Sequence, residues 1–377
     1  MTHLPEPAFA PEELTSPPCP FFEDCGGCLY QHLKPQTYSD FKTNLISELI
    51  LKNNIKVDEF KKPVFIGPRT RRRAQFILEN VAGKILIGFH KYHSHMIVPI
   101  DKCLILKPSL EDLLTKLSPS FTHLIPFGQS ISIWIQECDN GQLDCVITGL
   151  RKNSPKLTSF LAKMAEELHI SRISLREQDT SRPEIALQLR PILKTSGELN
   201  VALPPLAFLQ PSLEGETIIS TAILDWLAGL KLGKKDKIAD LFSGCGTFAG
   251  MIMQKYAVDA YEFDQAMCNS LKLAAKSHPK IEVFNRDLFK EPITRRELRN
   301  YRAVILDPPR AGAKEQCQNL AQSDVRDILY VSCAPTTFAR DAKILQNAGY
   351  RLRSLQLIDQ FTWSGHSELI GIFHRHP

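Results

Sequence analysis

The chain runs to 377 residues, 43% hydrophobic and 23% charged, with a formal net charge of +5. That length and balance allow two domains with a sizeable core, and exclude a membrane-spanning chain because no apolar run reaches the roughly 20 residues a span needs. Ten cysteines with no basic-then-apolar leader argue against a secreted disulfide framework; the expectation is a cytoplasmic protein whose cysteines are metal ligands, a nucleophile and buried spares.

Residues 1–18, rich in Pro and Glu and without periodicity, are expected to form a disordered or extended lead-in. C-P-F-F-E-D-C-G-G-C follows, placing Cys19, Cys25 and Cys28 close together around a loop that Gly26 and Gly27 let turn tightly. Three close cysteines without a histidine suggest a thiolate site for zinc or an iron–sulfur cluster, with Cys103 in I-D-K-C-L-I-L as the fourth ligand. A structural zinc site more often shows two C-x-x-C knuckles, and the single one here tilts the reading toward iron–sulfur. Tyr38 to Lys52 is helical by pattern, with Leu45, Leu49 and Ile50 apolar. Residues 61–73, K-K-P-V-F-I-G-P-R-T-R-R-R, hold Lys61, Lys62, Arg69, Arg71, Arg72 and Arg73 and no acid. Four arginines within five residues exceed what edge protection needs, so this strip is expected to contact phosphates.

Residues 104–200 alternate short β-like runs with a helix near Leu157 to Leu168 and read as an antiparallel α+β region, with a hairpin turn at Asn140-Gly141 and structural cysteines at Cys138 and Cys145. L-P-P-L-A-F-L-Q-P-S, residues 203–212, marks a domain boundary, so residues 19–202 and 203–377 are expected as two units, with the helix near 38–52 packing on the second. Gln210 precedes a helix expected from Leu213 to Leu230. D-K-I-A-D-L-F-S-G-C-G-T-F-A-G, residues 236–250, is a strand, a glycine turn and a helix, where backbone N–H groups are free for a ligand. The next strand ends at Glu262, about 20 residues on, where an acid binds ribose hydroxyls. Further strands lead to Asp287, to Asp307 in D-P-P-R, and to Cys333 in D-I-L-Y-V-S-C-A-P-T-T-F-A-R-D. This alternation gives a doubly wound parallel sheet. Cys333 sits where its strand ends, Pro335 stops the strand, and Thr336 or Thr337 is expected to cap the helix whose start favours a thiolate. The last two β segments have no helix between them and are expected to pair antiparallel at the sheet edge.

The ordered set formed by the cysteine cluster, F-L-Q, D-L-F-S-G-C-G-T-F, D-P-P-R-A-G, V-S-C-A-P-T-T-F-A-R-D and H-S-E-L-I resembles the RNA 5-methyluridine methyltransferases, a class I S-adenosylmethionine (SAM)-dependent family, over nearly the whole chain. The pattern departs at Ala334, where the family usually carries Asn, and at Ser243 and Leu209. The stretch ahead of Cys19 is too short for the N-terminal β-barrel RNA-binding domain of many members. The resemblance implies a Rossmann-like methyltransferase sheet in the C-terminal half, preceded by an α+β RNA-recognition region. It implies that Cys19, Cys25, Cys28 and Cys103 ligate a [4Fe–4S] cluster, and that Gln210, Phe242, Thr247, Glu262, Asp287 and Asp307 contact SAM. It implies Cys333 as nucleophile and Glu368 as general base, with His366 as the rival base. The implied partner is RNA, 23S ribosomal RNA before transfer RNA, met by a monomer without a membrane. Three other readings stay open. An amino-group methyltransferase would place an aromatic where Arg310 follows D-P-P. The others are a non-catalytic RNA-binding protein and a redox sensor.

Overall fold

The computed structural model describes residues 9–150 and 155–376. Strand β1 (Val64–Phe65) is followed by β2 (Arg73–Val81), β3 (Lys84–His90), β4 (Ile97–Pro99), β5 (Ser130–Glu137), β6 (Leu143–Thr148), β7 (Ile170–Arg176) and β8 (Glu184–Gln188). Strands β2 to β8 form one sheet of order β4-β3-β2-β5-β6-β7-β8. Its apolar face lies under the helices Pro108–Glu111, Leu113–Ser120 and Pro155–Glu167, whose Leu110, Leu114, Leu117, Leu157, Leu161 and Met164 are buried there. The hairpin turn at Asn140-Gly141 joins β5 to β6, with Gly141 at φ 75°. The expected all-antiparallel arrangement is broken once: β6 and β7 pair parallel. A parallel pair needs a long crossover, and the helix Pro155–Glu167 supplies it.

A short hairpin, β9 (Leu193–Ser196) and β10 (Leu199–Ala202), leads to the helix Leu213–Gly229, whose N-cap Ser212 accepts from the Gly215 N–H. Then come β11 (Lys237–Leu241), β12 (Ala257–Glu262), β13 (Ile281–Asn285), β14 (Tyr301–Leu306), β15 (Asp327–Ser332), β16 (Arg351–Asp359) and β17 (Glu368–His374). They form an eight-stranded sheet with β1, in the order β1-β16-β17-β15-β14-β11-β12-β13. The continuous apolar runs in β11, β14 and β15 are explained by helices on both faces. Strands β16 and β17 pair antiparallel, but neither is a free edge. Strand β17 inserts between β15 and β16, and β1 covers β16, extended by bridges at Val57 and Phe60. An unpaired outer strand invites wrong pairing, and the 57–65 segment closes it.

The helix Pro35–Lys52 packs on this sheet, with Ile46 and Ile50 in its core. Its buried stripe is Tyr38, Lys42, Ile46 and Ile50, spaced i, i+4; of the apolar positions expected, Leu45, Leu49 and Ile50, only Ile50 lies on it. The lead-in expected over 1–18 falls partly outside the described residues. From Phe9 onward it lies against this helix, with Phe9 edge-on to Phe41 at 5.4 Å and Leu14 bridged to Leu33. Among the described residues no helix is long and apolar enough to cross a membrane.

Candidate active site

The strand order reverses between β11 and β14, and ligands of open α/β sheets bind outside the carboxyl ends of the strands at such a point. On the β11–β13 side, Phe242 follows β11 in the left-handed region at φ 64°, and its ring meets that of Phe289 at 5.5 Å. The turn needs Gly246: a Cβ there would lie 2.6 Å from Leu271. Glu262, at the end of β12, accepts from the N–H groups of Gly244 (2.8 Å) and Asp264 (2.7 Å), and burial pushes its carboxyl up. Thr247 sits in the same turn with its hydroxyl 3.5 Å from the Cys245 thiol, and Asp287, just past β13, accepts from the Phe289 N–H at 3.1 Å. Sequence reasoning passed over Asp240. It is fully buried in β11, accepts from the Ala249 N–H at 3.0 Å, and has its other oxygen without a protein partner. Burial first, then Asp307, pushes it up to about 8.

On the other side, an amide relay crosses the cleft floor. The Gln210 amide donates to Asp307 at 3.2 Å. Gln360 donates to the Gln210 oxygen at 3.0 Å and to Glu368 at 3.0 Å. Gln360 was another residue missed in the sequence: it lies between β16 and β17, and a glutamine in a loop has no signature until the fold closes. Glu368 is buried at the start of β17; burial, then Asp307, pushes its carboxyl up to about 8, against the Gln360 hydrogen bond and the Arg73 charge. Burial pushes Asp307 up to about 7.

Cys333 ends β15 half-buried, beside Glu368 and Asp307. Burial, then these two carboxylates, pushes its thiol up to about 11, while Arg310 and its own backbone N–H lower it. The expected thiolate-favouring helix start is thus outweighed. The capping differs as well. Ala334 is the N-cap, Pro335 opens the helix Pro335–Asn347, and Thr337 donates to the carbonyls of Arg310 and Ala334. His366 meets Arg310 at 3.0 Å; burial, then Arg310, Lys42 and Arg71, pushes it down to about 4, so its neutral ring accepts from the guanidinium.

The arginine strip divides by strand alternation. Arg72 points inward, 2% exposed, bonded to Asp139 (2.7 Å), Glu216 (2.6 Å) and the Gln210 carbonyl (2.9 Å). Lys194 closes the ring on the same two carboxylates. Buried, with each of its three guanidinium nitrogens bonded within the protein, Arg72 is withheld from a phosphate, a correction to the sequence expectation. Arg69 pairs with Glu111 at 2.7 Å. Arg71 and Arg73 point the other way, toward the cleft. Arg73 lies 4.4 Å from the Phe208 ring, near Cys333 and Glu368; burial, then Arg71 and Arg72, lowers it to about 10.

The cysteines Cys19, Cys25 and Cys28 come together with Cys103. Burial pushes Cys28 up to about 12, with Gln31 lowering it and Cys103, Cys25 and Cys19 raising it further. Burial pushes Cys103 up to about 11, and Cys25 and Cys19 add to it against two backbone N–H groups. As they stand, no group of three or more His, Cys, Asp or Glu among the described residues is placed to hold a metal ion.

A family model described as tRNA (Uracil-5-)-methyltransferase matches residues 286–376. An uncharacterised RNA methyltransferase of Rhizobium meliloti is 34% identical over 375 residues, covering 97% of this chain and 87% of that protein. The 23S rRNA (uracil(1939)-C(5))-methyltransferase of Photorhabdus laumondii is 30% identical over 378 residues, covering 96% of this chain and 82% of that one. The crystal structure of the Pyrococcus abyssi tRNA (uracil-54, C5)-methyltransferase in complex with S-adenosyl-L-homocysteine shares the fold, with a TM-score of 0.72 at 20% identity over 94% of this chain and 86% of that one.

Proposed function

The chain belongs to the SAM-dependent RNA (uracil-C5)-methyltransferase family, and from that premise we propose that it methylates carbon 5 of a uridine in 23S ribosomal RNA through a covalent Cys333 adduct. The observation that carries this reading is the convergence of Cys333 with Glu368 and Asp307 at the ends of β15, β17 and β14, the two carboxyls joined through Gln360 and Gln210. The Cys333 thiolate attacks carbon 6 of the uracil. The sulfur–carbon bond forms and the ring becomes an enolate with its electrons at carbon 5, which takes the methyl group from the SAM sulfonium and releases S-adenosylhomocysteine. Glu368 then removes the carbon 5 proton, and the electron pair restores the ring double bond and expels the thiolate. Glu368 acts in its ionised form, and a carboxylate whose carboxyl is held up to about 8 takes the carbon 5 proton more avidly than an ordinary one. Arg310 favours the thiolate, and the Arg73–Phe208 pair offers the flipped base an aromatic face beside a cation.

Phe242, Thr247, Glu262 and Asp287 line the turn where we place SAM, with Asp307 and Gln210 between the methyl donor and the uracil. The carboxylates of Glu262 and Asp287 suit ribose and amine groups, and the orphaned oxygen of Asp240 faces a donor the protein does not supply. The four cysteines suit a [4Fe–4S] cluster: all are thiols, and each lies in the field of the others. When bound, the cluster supplies a covalent tie between residues 19–28 and the Cys103 loop. The cysteine set and the Photorhabdus relative's activity support the ribosomal target. Mass-spectrometric mapping of 5-methyluridine in total RNA from cells with and without the protein tests it. One or more uridines of 23S RNA should lose the methyl group when the protein is absent; loss confined to transfer RNA contradicts the ribosomal assignment.

A further inference from the structure

The hairpin between β3 and β4, H-K-Y-H-S-H, is absorbed by none of the chemistry above. From Lys84 to Ile100 the chain has no acid, yet it gathers three histidines, two lysines and a tyrosine. Tyr92 and Met96 stand 49% and 68% exposed at its tip. The Tyr92 and His93 rings lie 4.0 Å apart, and His93 is held at φ 53°, a conformation a β-carbon disfavours. A cavity of about 390 Å³ opens between this tip and the cysteine loop, lined by Gly26 and residues 90–95. Its floor is built. The Gly26 N–H donates to the His90 carbonyl at 3.1 Å, and a Cβ on Gly26 would come within 3.0 Å of that oxygen. Lys91 pairs with Asp24 at 2.9 Å, and His90 Nδ1 donates to the His95 carbonyl at 3.0 Å, so the tip keeps its shape.

The cysteine loop ties this hairpin to the loop beside the active site. Cys25 bridges to Lys91, and Leu29 and Tyr30 donate to the Trp363 carbonyl at 2.7 and 3.2 Å. Trp363 belongs to the loop that carries His366 to Arg310 beside Cys333. The hairpin and the loop at the cleft are thus held by one segment, residues 25–30. We propose that the cavity is a second nucleotide subsite, in which an unpaired base flanking the target stacks on Tyr92, with His90, His93, His95 and Lys91 beside it. Unpaired RNA bases are held by stacking on aromatic and histidine rings next to cations. This rests on the reading of the substrate as RNA.

The test measures binding of a mixed-sequence single-stranded oligoribonucleotide alongside methyl transfer to total RNA from cells lacking the protein. Tyr92→Ala should weaken binding roughly tenfold, the loss of one base–aromatic stack, with SAM affinity and melting temperature kept. Tyr92→Leu should weaken it equally, and Tyr92→Phe should restore it. Ultraviolet cross-linking of wild type should attach a nucleotide to the peptide containing residues 90–95. Unchanged affinity in Tyr92→Ala, with methyl transfer intact in wild type, overturns the subsite alone. Tyr92-dependent binding without any methyl transfer keeps the subsite and removes the enzymatic reading.

Discussion

At the scale of single residues, the site is a set of acids that cannot all be charged together. Asp307 raises the proton affinity of Glu368, both carboxyls raise that of Cys333, and Arg73 and Arg310 are the cations that oppose this. The consequence for stability has a definite sign. Glu368 ionises near the ordinary carboxylate value in the unfolded chain but only near 8 in the folded one. Between these values the folded protein holds a proton that the unfolded chain has released, so stability falls as pH rises through that window. Glu368→Gln removes this penalty. Its melting temperature relative to wild type should therefore climb between about pH 5 and pH 8, and a difference that stays flat across the range contradicts the buried neutral carboxyl. Cys333 was legible because its position at a strand end precedes any contact. Gln360 and Asp240 were not, because their importance lies in partners brought together from distant β-strands.

At the scale of elements, the N-terminal helix shows what periodicity reads and what it misses. Its existence was legible, but its buried face was not, because a lysine occupies that face. Lys42 is 1% exposed; it donates to the carbonyls of Ser364 and His366 and lies 3.4 Å from Asp359, to which Tyr38 also donates. Through these bonds the helix holds the loop ahead of Glu368. Lys42→Met leaves Asp359 buried without its cation and should cost about 3–5 kcal/mol in urea unfolding; a change under about 1 kcal/mol contradicts the anchoring role. The arginine strip gives the same lesson for strands. Composition marked all four arginines for phosphate, and alternation assigns them differently. Arg72→Ala, which breaks a buried ring with Asp139, Glu216 and Lys194, should destabilise the fold by a similar 3–5 kcal/mol and leave the salt slope of RNA binding as it was. Arg71→Ala should lower that slope by roughly one unit. Equal effects of the two substitutions on the slope would show that alternation does not sort the strip.

At the scale of the whole molecule, two sheets meet along the Arg72 ring and the 203–212 segment, and the cysteine loop fastens the first to the second. The parallel strands themselves were legible because buried parallel strands are near-continuous apolar runs; their order in the sheet was not read from the sequence. The covering of β16 by β1 was not, because a two-residue strand at Val64–Phe65 carries no pattern of its own. Anaerobically purified protein should carry about four irons per chain; one zinc and no iron contradicts the cluster. The covalent chemistry is the central claim, and 5-fluorouridine RNA tests it most directly, because fluorine at carbon 5 cannot leave as a cation. Incubated with SAM and such RNA, wild type should yield a denaturation-resistant protein–RNA species. Digestion should place the methylated nucleotide on the Cys333 peptide. Cys333→Ala should bind SAM yet form no such species and transfer no methyl group. Absence of any adduct in wild type, together with methylation by Cys333→Ala, would contradict the account.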